Sequence, residues 1–380
     1  MPPGRYTNTR QKSCHPCSTA KAKCDHKETC ARCASRGLAC TYPTIRATEV
    51  EDMEVDETVA MVEEAVAMVE ETPVMVETSV RIQESPVTEI SEPAEPERHD
   101  LDLVCPINSD DIKNRWLNSY VPLPGQTVKE YHPNVMNFVY RMLKSYASMV
   151  IRGRTPPFIH PTQLSSLSTC FTLVRICKDL LPGSESVVTS ILQREMTNLY
   201  EQRETYNSFD LLGAFQAYLI YSMVLFFHLS PAMPFLRQAI INLQDIACLA
   251  ARQGLVCRAE QQGIRPKWEA WVVAEAKRRT LYTMYFLDNV LSAQDGLPTY
   301  LAHELKGLYA PSSKILWQAD QIEWERAYNL HLVEWPEGTF QLEQLWPGGA
   351  QADTDRWLEG VDEFGTMLYA VTSCTHGHSS

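Results

Sequence analysis

The chain has 380 residues, of which 44% are hydrophobic and 21% charged, with a formal net charge of −13 and 12 cysteines. Its opening residues, MPPGRYTNTR, contain no apolar run, so we expect no secretory signal and no oxidising compartment that would favour a disulfide framework. The sequence lacks the glycine-rich nucleotide-binding motifs, the G-x-S-x-G nucleophile motif and H-E-x-x-H, so we do not expect an enzyme.

Six of the cysteines form a repeated pattern near the N-terminus. They follow C-x2-C-x6-C-x5-C-x2-C-x6-C, in which the half-pattern C-x2-C-x6-C occurs twice: Cys14, Cys17, Cys24, Cys30, Cys33 and Cys40. Structural zinc takes four thiolates in a tetrahedron, so six sulfurs can serve two zinc ions if two sulfurs bridge. Cys14 and Cys30 each begin a half-pattern and are the predicted bridging pair. The sequence therefore predicts a binuclear zinc cluster, which does not need His15 or His26 as ligands.

This segment resembles the fungal binuclear zinc-cluster (Zn2Cys6) transcription factors over residues 12–43. SCHPCSTAKAKCD and CARCASRGLACTYP are especially similar to fingers from regulators of fungal secondary-metabolite gene clusters. The resemblance implies a short helix after the first cysteine pair, which enters the DNA major groove at a CGG-type half-site. By position, it makes Lys21 the base-reading lysine and Lys23 its neighbour at the phosphates.

The charge of the same segment independently favours DNA as its partner. Residues 1–46 carry nine Lys or Arg against two acidic residues, a formal charge of +7 that two zinc ions with six thiolates lower to about +5. A compact cation of this kind is typical of a nucleic-acid-binding module. The family often has a basic run where this chain has residues 18–20, Ser-Thr-Ala, so other basic residues are expected to contact phosphates. These residues are Arg10, Lys12, Arg32, Arg36 and Arg46.

Residues 47–100 are strongly acidic and contain no aromatic residue. Seventeen Asp or Glu against two Arg give a formal charge of −15, which predicts a disordered linker because too little apolar surface can be buried. Within it, VAMVEEA, VAMVEET and PVMVETS (residues 59–79) place valines at heptad positions a and d. Pro73 falls at an a position and no lysine pairs with the glutamates, so we favour an acidic low-complexity linker, or an activation segment, over a stable coiled coil.

From residue 101 onward the hydrophobic periodicity is helical, and no alternating strand pattern competes with it. Apolar residues recur at spacings of three and four within residues 135–150 and 188–199. Further helices are predicted at 164–181, 209–229, 235–253 and 268–293. The predicted fold is mainly α: a zinc module at 1–46, a disordered acidic linker at 47–100, an all-helical domain at 101–345 and a C-terminal tail at 346–380.

Residues 211–229 are nineteen residues without a formal charge, which is long enough to span a membrane. Gln216, Ser222 and His228 interrupt the run, and no basic loop flanks it. We therefore predict a helix buried in the protein core and no membrane partner.

Residues 275–298, EAKRRTLYTMYFLDNVLSAQDGLP, resemble the signature of the all-helical regulatory domain found after many fungal zinc-cluster fingers. The upstream stretch TPPFIHPTQ resembles a segment that precedes this domain in metabolite-cluster regulators. Arg278 and Arg279 are expected to pair with Glu275 or Asp288 as helix salt bridges. The side chains expected to pack inward are Tyr282, Phe286 and Leu287.

Together these patterns favour a nuclear, sequence-specific DNA-binding regulator of RNA polymerase II transcription, with two zinc ions as its cofactor. The predicted partners are double-stranded DNA, a second copy of the chain in a homodimer, and the transcription machinery. The alternative is an interaction adaptor whose zinc module binds a protein, for which Lys21, Lys23 and the positive charge would not be needed. A zinc enzyme is disfavoured because six thiolates leave no open coordination position on the metal.

Overall fold

The computed structural model describes Cys14, Cys17 and residues 22–25, 27 and 29–40 near the N-terminus, and residues 101–118, 120–121, 128–129, 131–229, 233–300, 302–346 and 351–373 beyond it. The chain divides into two units, Met1–Glu92 and Pro93–Ser380. Each unit has its own buried cluster, made of cysteines in the first and of apolar side chains in the second. The predicted linker at 47–100, with its heptads, lies outside the described residues.

The first unit contains helix α1 (Ala31–Ser35), and the second is built mainly from helices. In chain order these are α2 (Ser109–Lys113), α3 (Arg115–Asn118), α4 (Pro133–Ile151), α5 (Ser168–Arg175), α6 (Glu185–Gln202), α7 (Ser208–Val224), α8 (Met233–Arg252), α9 (Arg258–Gln261), α10 (Trp268–Gln294), α11 (Lys314–Gln318), α12 (Gln321–Glu334), α13 (Gln351–Gly360) and α14 (Glu363–Ser373). A π-helical turn, Leu225–Leu229, continues α7, and short 3-10 turns lie at Pro161–Gln163, Ile176–Asp179, His303–Leu305 and Leu342–Leu345. The mainly helical fold confirms the predicted class.

The long helices agree with the periodicity of the sequence. Helices α4, α6, α8 and α10, and α7 together with its π turn, begin and end within three residues of the predicted bounds. The helix predicted at 164–181 is shorter, because only Ser168–Arg175 is α-helical and the chain then tightens into a 3-10 turn. Pro182 follows soon after and disfavours helical backbone in the residue before it.

The structure corrects the prediction of a tail at 346–380. Residues 351–373 of this segment are helical and pack on the core. Trp357 of α13 and several residues of α14 belong to the main apolar cluster of the second unit. These are Phe364, Met367, Leu368 and Val371. Their spacing of three and four residues is that of an amphipathic helix, so the domain boundary predicted at residue 345 lies too early in the chain.

In the described part of the second unit, two short antiparallel ladders accompany the helices. They join β1 (Leu103–Val104) to β3 (Val256–Cys257), and β2 (Val128–Lys129) to β4 (Thr299–Tyr300). Strands of two residues leave no readable alternation, which explains why the sequence does not reveal them. Gly254 leads into β3 with a φ of +98°, and a Cβ at this position would lie 2.3 Å from the Cβ of Leu103. The approach of β1 to β3 therefore requires glycine here.

Helices α7 and α10 form the centre of the second unit. All α7 residues from 211 to 224 are buried, as are all α10 residues from 270 to 287. The segment Ser208–Leu229 is long and apolar enough to cross a membrane by length and composition, but 89% of its apolar window is buried inside the protein. This burial agrees with the prediction of a core helix. The side chains of Tyr282, Phe286 and Leu287 are buried as predicted.

Helix α10 also carries charged residues into this core. Glu275, Lys277, Arg278 and Arg279 are fully excluded from solvent. The Glu275 carboxylate accepts hydrogen bonds from Arg278 Nη2 at 2.6 Å and from Arg279 Nε at 2.7 Å. Burial acts to raise the pKa of Glu275, but the two guanidinium groups outweigh burial and the pKa is lowered. The predicted pairing of both arginines with Glu275 is confirmed.

Arg279 connects α10 to three other segments. Its Nη1 donates to Asp362 Oδ2 at 2.5 Å and to the Pro157 carbonyl at 3.2 Å, and its Nη2 donates to the Ser312 carbonyl at 3.2 Å. Pro157 belongs to TPPFIHPTQ (residues 155–163). The two sequence segments that resemble parts of fungal regulators are therefore in direct contact in the fold.

Asp288, the other predicted partner of these arginines, instead binds Arg115 of α3. Arg115 Nε donates to Asp288 Oδ2 at 3.0 Å, Nη1 donates to Glu304 at 2.5 Å, and Nη2 donates to Asn289 at 3.2 Å. The guanidinium is almost completely buried. Arg115 and Asp288 are 173 residues apart in the sequence, so helical spacing could not reveal this pair.

Lys277 is buried among neutral hydrogen-bond acceptors. Its Nζ donates to Ser208 Oγ at 3.0 Å and to the Gly254 carbonyl at 3.3 Å. Burial lowers the pKa of Lys277 to about 7, because a charged amine loses its hydration in the core.

Removing the Glu275 carboxylate should strongly destabilise the protein, because two buried guanidinium groups lose their shared partner. We expect Glu275→Ala to lower the free energy of unfolding by about 3–5 kcal/mol. Glu201 of α6 is exposed, and Glu201→Ala is the matched control, with an expected change below about 0.5 kcal/mol. Urea denaturation of the full chain measures both changes. Similar losses in the two variants would contradict the structural role of Glu275.

The stability of the protein should carry a pH dependence due to Lys277. Because its pKa is about 7 when folded and 10.5 ordinarily, the unfolded state binds more protons between these values, so this residue makes stability rise with pH. As the pH rises across that window, the unfolding free energy of the wild type should increase relative to that of Lys277→Met by about 1 kcal/mol per pH unit. Urea denaturation at about pH 7.5 and about pH 9.5 measures this. Parallel pH profiles for the two proteins would refute it.

Candidate metal centre

The N-terminal unit brings its cysteine thiols to distances that suit shared metal ions. The Sγ–Sγ distances are 3.7 Å for Cys14–Cys30, 3.7 Å for Cys14–Cys33, 3.6 Å for Cys17–Cys30 and 3.7 Å for Cys24–Cys14. A regular tetrahedron with Zn–S bonds of about 2.3 Å separates its sulfurs by about 3.8 Å. A disulfide bond would instead need about 2.05 Å. None of these described thiols forms a disulfide bond, and their spacing fits zinc.

The six thiols fall into two groups of four that share two members. One group is Cys14, Cys17, Cys24 and Cys30, and the other is Cys14, Cys30, Cys33 and Cys40. Within each group the sulfur atoms all lie within 4.8 Å of one another. Cys14 and Cys30 belong to both groups, and they are the two residues predicted as the bridging pair. Four sulfur donors per group match the closed coordination of a structural zinc ion.

The backbone repeats along with the cysteine pattern. The Ala22 amide donates to the Cys17 carbonyl at 2.9 Å, and the Leu38 amide donates to the Cys33 carbonyl at 3.0 Å. In both halves the acceptor is the carbonyl of the second cysteine of a C-x2-C pair, and the donor is the amide of the fifth residue after it. The two half-patterns therefore share a local backbone hydrogen bond as well as a ligand spacing.

Helix α1 begins directly after Cys30 and orients that thiol. The Cys30 Sγ caps the helix by accepting a hydrogen bond from the Cys33 amide at 3.4 Å. This hydrogen bond lowers the pKa of Cys30 to about 6, which favours the thiolate form that binds metals. The Asp25 carboxylate accepts from the Ala31 amide at 3.2 Å, and so links the end of the first half-pattern to the start of α1. Asp25 was not among the predicted site residues.

Among the described residues, the buried cluster of this unit consists of cysteines. Five of them are buried and Cys40 is partly buried. Crowding these thiols together is unfavourable for their charged forms. Burial raises the pKa of Cys14 and raises the pKa of Cys33 to about 12. A bound cation reverses this effect because a coordinated thiol is deprotonated. Metal binding therefore supplies the folding free energy that an apolar core would otherwise supply.

The predicted DNA-contacting residues have different surroundings. Lys23 and Arg36 are exposed, whereas Arg32 is half-buried and its Nη1 donates to Cys17 Sγ at 3.7 Å. The contact with Cys17 was not predicted, because Arg32 was assigned to phosphates by its charge alone. The other residues named from the sequence lie outside the described part of the chain: Arg10, Lys12, His15, Lys21, His26 and Arg46.

Comparison with known proteins identifies the domain to which this cluster belongs. Residues 12–48 match the model of the fungal Zn(2)-Cys(6) binuclear cluster domain, which is a domain of transcription factors and is not enzymatic. No curated protein and no solved structure matches the chain. The match covers all six cysteines of the two four-thiol groups. The chain thus carries a fungal Zn(2)-Cys(6) binuclear cluster domain that binds two zinc ions, and this domain supports a general role in DNA-binding transcription regulation.

Proposed function

We propose that the protein is a nuclear, sequence-specific regulator of RNA polymerase II transcription that controls a fungal secondary-metabolite gene cluster. The observation that carries the proposal is the pair of four-thiol groups sharing Cys14 and Cys30. A cluster whose coordination positions are all filled by sulfur stabilises the fold of the module. It leaves no open position for a reacting water or substrate. The metabolite-cluster target is supported by the resemblance of the finger and of residues 155–163 to regulators of that kind.

In this proposal each zinc ion is held by four thiolates and two thiolates are shared. Cys17 and Cys24 bind one ion, Cys33 and Cys40 bind the other, and Cys14 with Cys30 bridges both. The spacing of the sulfur atoms supports this assignment. The amide of Cys30 donates to Cys40 Sγ at 3.2 Å, and Arg32 donates to Cys17 Sγ. These donors stabilise the negative charge that remains when six thiolates bind two divalent ions.

The DNA contacts follow from charge and position. Lys21 reads guanine in a CGG-type half-site, because its ammonium group can donate to the O6 and N7 acceptors in the major groove. Lys23 and Arg36, whose side chains are exposed, contact phosphates and position the module. The remaining proposed phosphate contacts are Arg10, Lys12, Arg32 and Arg46.

The other proposed partners are a second copy of the chain and the transcription machinery. A homodimer would place two modules on paired half-sites, since symmetric dimers match paired sequences in DNA. The acidic residues 47–100, in which valine and methionine are interspersed with glutamate, have the composition of a segment that recruits the transcription machinery.

Replacing a bridging cysteine should remove both zinc ions, whereas replacing a cysteine of only one group should spare the other ion. We expect Cys30→Ala to bring the zinc content close to zero and Cys40→Ala to retain about one ion per chain. Cys105→Ser, outside the cluster, is the control and should retain two. Elemental analysis of the purified full chain measures zinc content. One zinc ion per wild-type chain, or equal losses in Cys30→Ala and Cys40→Ala, would contradict the assignment.

The two lysines should affect DNA binding in different ways. Lys21→Ala should cost about 1–3 kcal/mol at a cognate G-containing half-site and relax the base preference. Lys23→Ala should weaken binding to all sequences alike and reduce the salt dependence, because it removes a phosphate contact. Fluorescence anisotropy with cognate and scrambled duplexes measures both effects.

Two results would contradict these proposed roles in DNA binding. An unchanged ratio of cognate to scrambled affinity in Lys21→Ala would exclude base readout by that residue. Equal affinity of the wild type for all duplexes selected from a random pool would favour the protein-binding adaptor instead.

A further inference from the structure

A cavity of about 250 Å³ lies in the helical unit between α3, α8 and the C-terminal end of α10. Most of its lining surface is apolar, and the apolar residues, half of the described lining, are Trp116, Leu236, Ile240, Ile241 and Leu291. Pockets for drug-sized ligands have volumes of about 300–1,000 Å³, so this cavity suits a smaller molecule with one or two rings.

Asp288 of α10 gives the cavity a polar group with unused hydrogen-bonding capacity. Arg115 Nε donates to Asp288 Oδ2 at 3.0 Å, whereas Oδ1 accepts from Gln244 Nε2 at 3.5 Å, the limit of a hydrogen bond. Burial raises the pKa of Asp288, although Arg115 acts in the opposite direction. A largely buried carboxylate with a weakly used oxygen can accept a further hydrogen bond from a donor placed in the cavity.

The apolar wall and the polar group are both held in place by buried neighbours. Gln244 of α8 is fully buried, and its Oε1 accepts a hydrogen bond from the Trp116 amide at 3.1 Å. Asp288 is held by the 3.0 Å hydrogen bond from Arg115, the residue that precedes Trp116 in α3. A site whose walls are already positioned loses less entropy when a ligand binds.

The charges around the cavity are already paired. Arg237 forms an ion pair with Asp295, and both residues belong to the lining. Asp288 pairs with Arg115, which it shares with Glu304, and Glu304 does not belong to the described lining. An added ion would have to lose its hydration without finding an unpaired counter-charge, which is costly inside a protein. The lining therefore favours a neutral hydrogen-bond donor over an ammonium or a carboxylate group.

We propose that this cavity is a binding site for a neutral, flat, largely apolar molecule of one or two rings, whose hydroxyl group donates a hydrogen bond to Asp288. The lining of this site consists of residues of the helical unit. It gives the regulator a place to bind a small hydroxylated aromatic compound. The proposal stands on the lining of the cavity and does not depend on the proposed DNA sequence or target genes.

The first test compares two probes on the zinc-loaded full chain by isothermal titration calorimetry. 2-Naphthol has two rings and a hydroxyl donor, and 2-methoxynaphthalene is the matched probe without the donor. We expect saturable binding of 2-naphthol at one molecule per chain, with 2-methoxynaphthalene at least about tenfold weaker, because a hydrogen bond to a charged acceptor is lost. Equal affinities for the two probes, or no saturable binding of 2-naphthol, would overturn the proposal.

The second test fills the cavity. Ile241→Trp enlarges a lining side chain and should weaken 2-naphthol binding at least about tenfold by occupying the ligand's volume. Ile322 of α12 is 66% exposed and lies elsewhere, so Ile322→Trp is the matched control and should leave the affinity within about twofold. Circular dichroism checks that both variants keep their helices. Unchanged binding in a folded Ile241→Trp would overturn the proposed location, and the two-probe comparison on the wild type decides the case if that variant does not fold.

Discussion

The carboxylate of Glu275 holds the guanidinium groups of Arg278 and Arg279 at the centre of the helical unit, and the segments around α10 depend on that contact. Apolar burial is not directional, so it does not by itself determine which loop lies against which helix. Hydrogen bonds are directional, and each arginine uses at least one further donor on a backbone carbonyl or a carboxylate of another segment. Arg278 donates to the Leu255 carbonyl beside β3, and Arg279 donates to Pro157, Asp362 and Ser312. We interpret the buried charges as the contacts that specify the arrangement of segments around an otherwise apolar core.

The zinc module obtains its order in a different way. Its buried cluster is made of thiols, which repel one another as anions and come together only around a cation. Here the positioning contacts are the amide and guanidinium donors to sulfur, together with the Asp25 carboxylate at the start of α1. Both units therefore hold like charges close together through a shared opposite charge: a carboxylate between two arginines in one, and metal ions among thiolates in the other. The difference is that the carboxylate is part of the chain and the metal ions must be acquired from solution.

The sequence predicts the parts of this structure that rest on local spacing. Helical periodicity locates α4, α7 and α10, and cysteine spacing selects the two residues that both four-thiol groups share. The sequence does not predict contacts between residues far apart in the chain, and the pairing of Arg115 with Asp288 and the donation from Arg32 to Cys17 both belong to this class. The error at the C-terminus has another cause. Helix α14 has a readable amphipathic pattern, but it is short and follows residues 347–350, where glycine and proline suggest an end to the domain.

The contacts of Arg279 also bear on how fast the helical unit can fold. Its partners Ser312, Asp362 and Pro157 lie 33, 83 and 122 residues away along the chain. Each contact closes a long loop, and the entropy lost in closing a loop grows with its length. Hydrogen bonds between such distant residues raise the contact order of a mainly helical fold, and a higher contact order slows the search for the native state. We expect these contacts to form late in folding, because the guanidinium group keeps its hydration until those loops close.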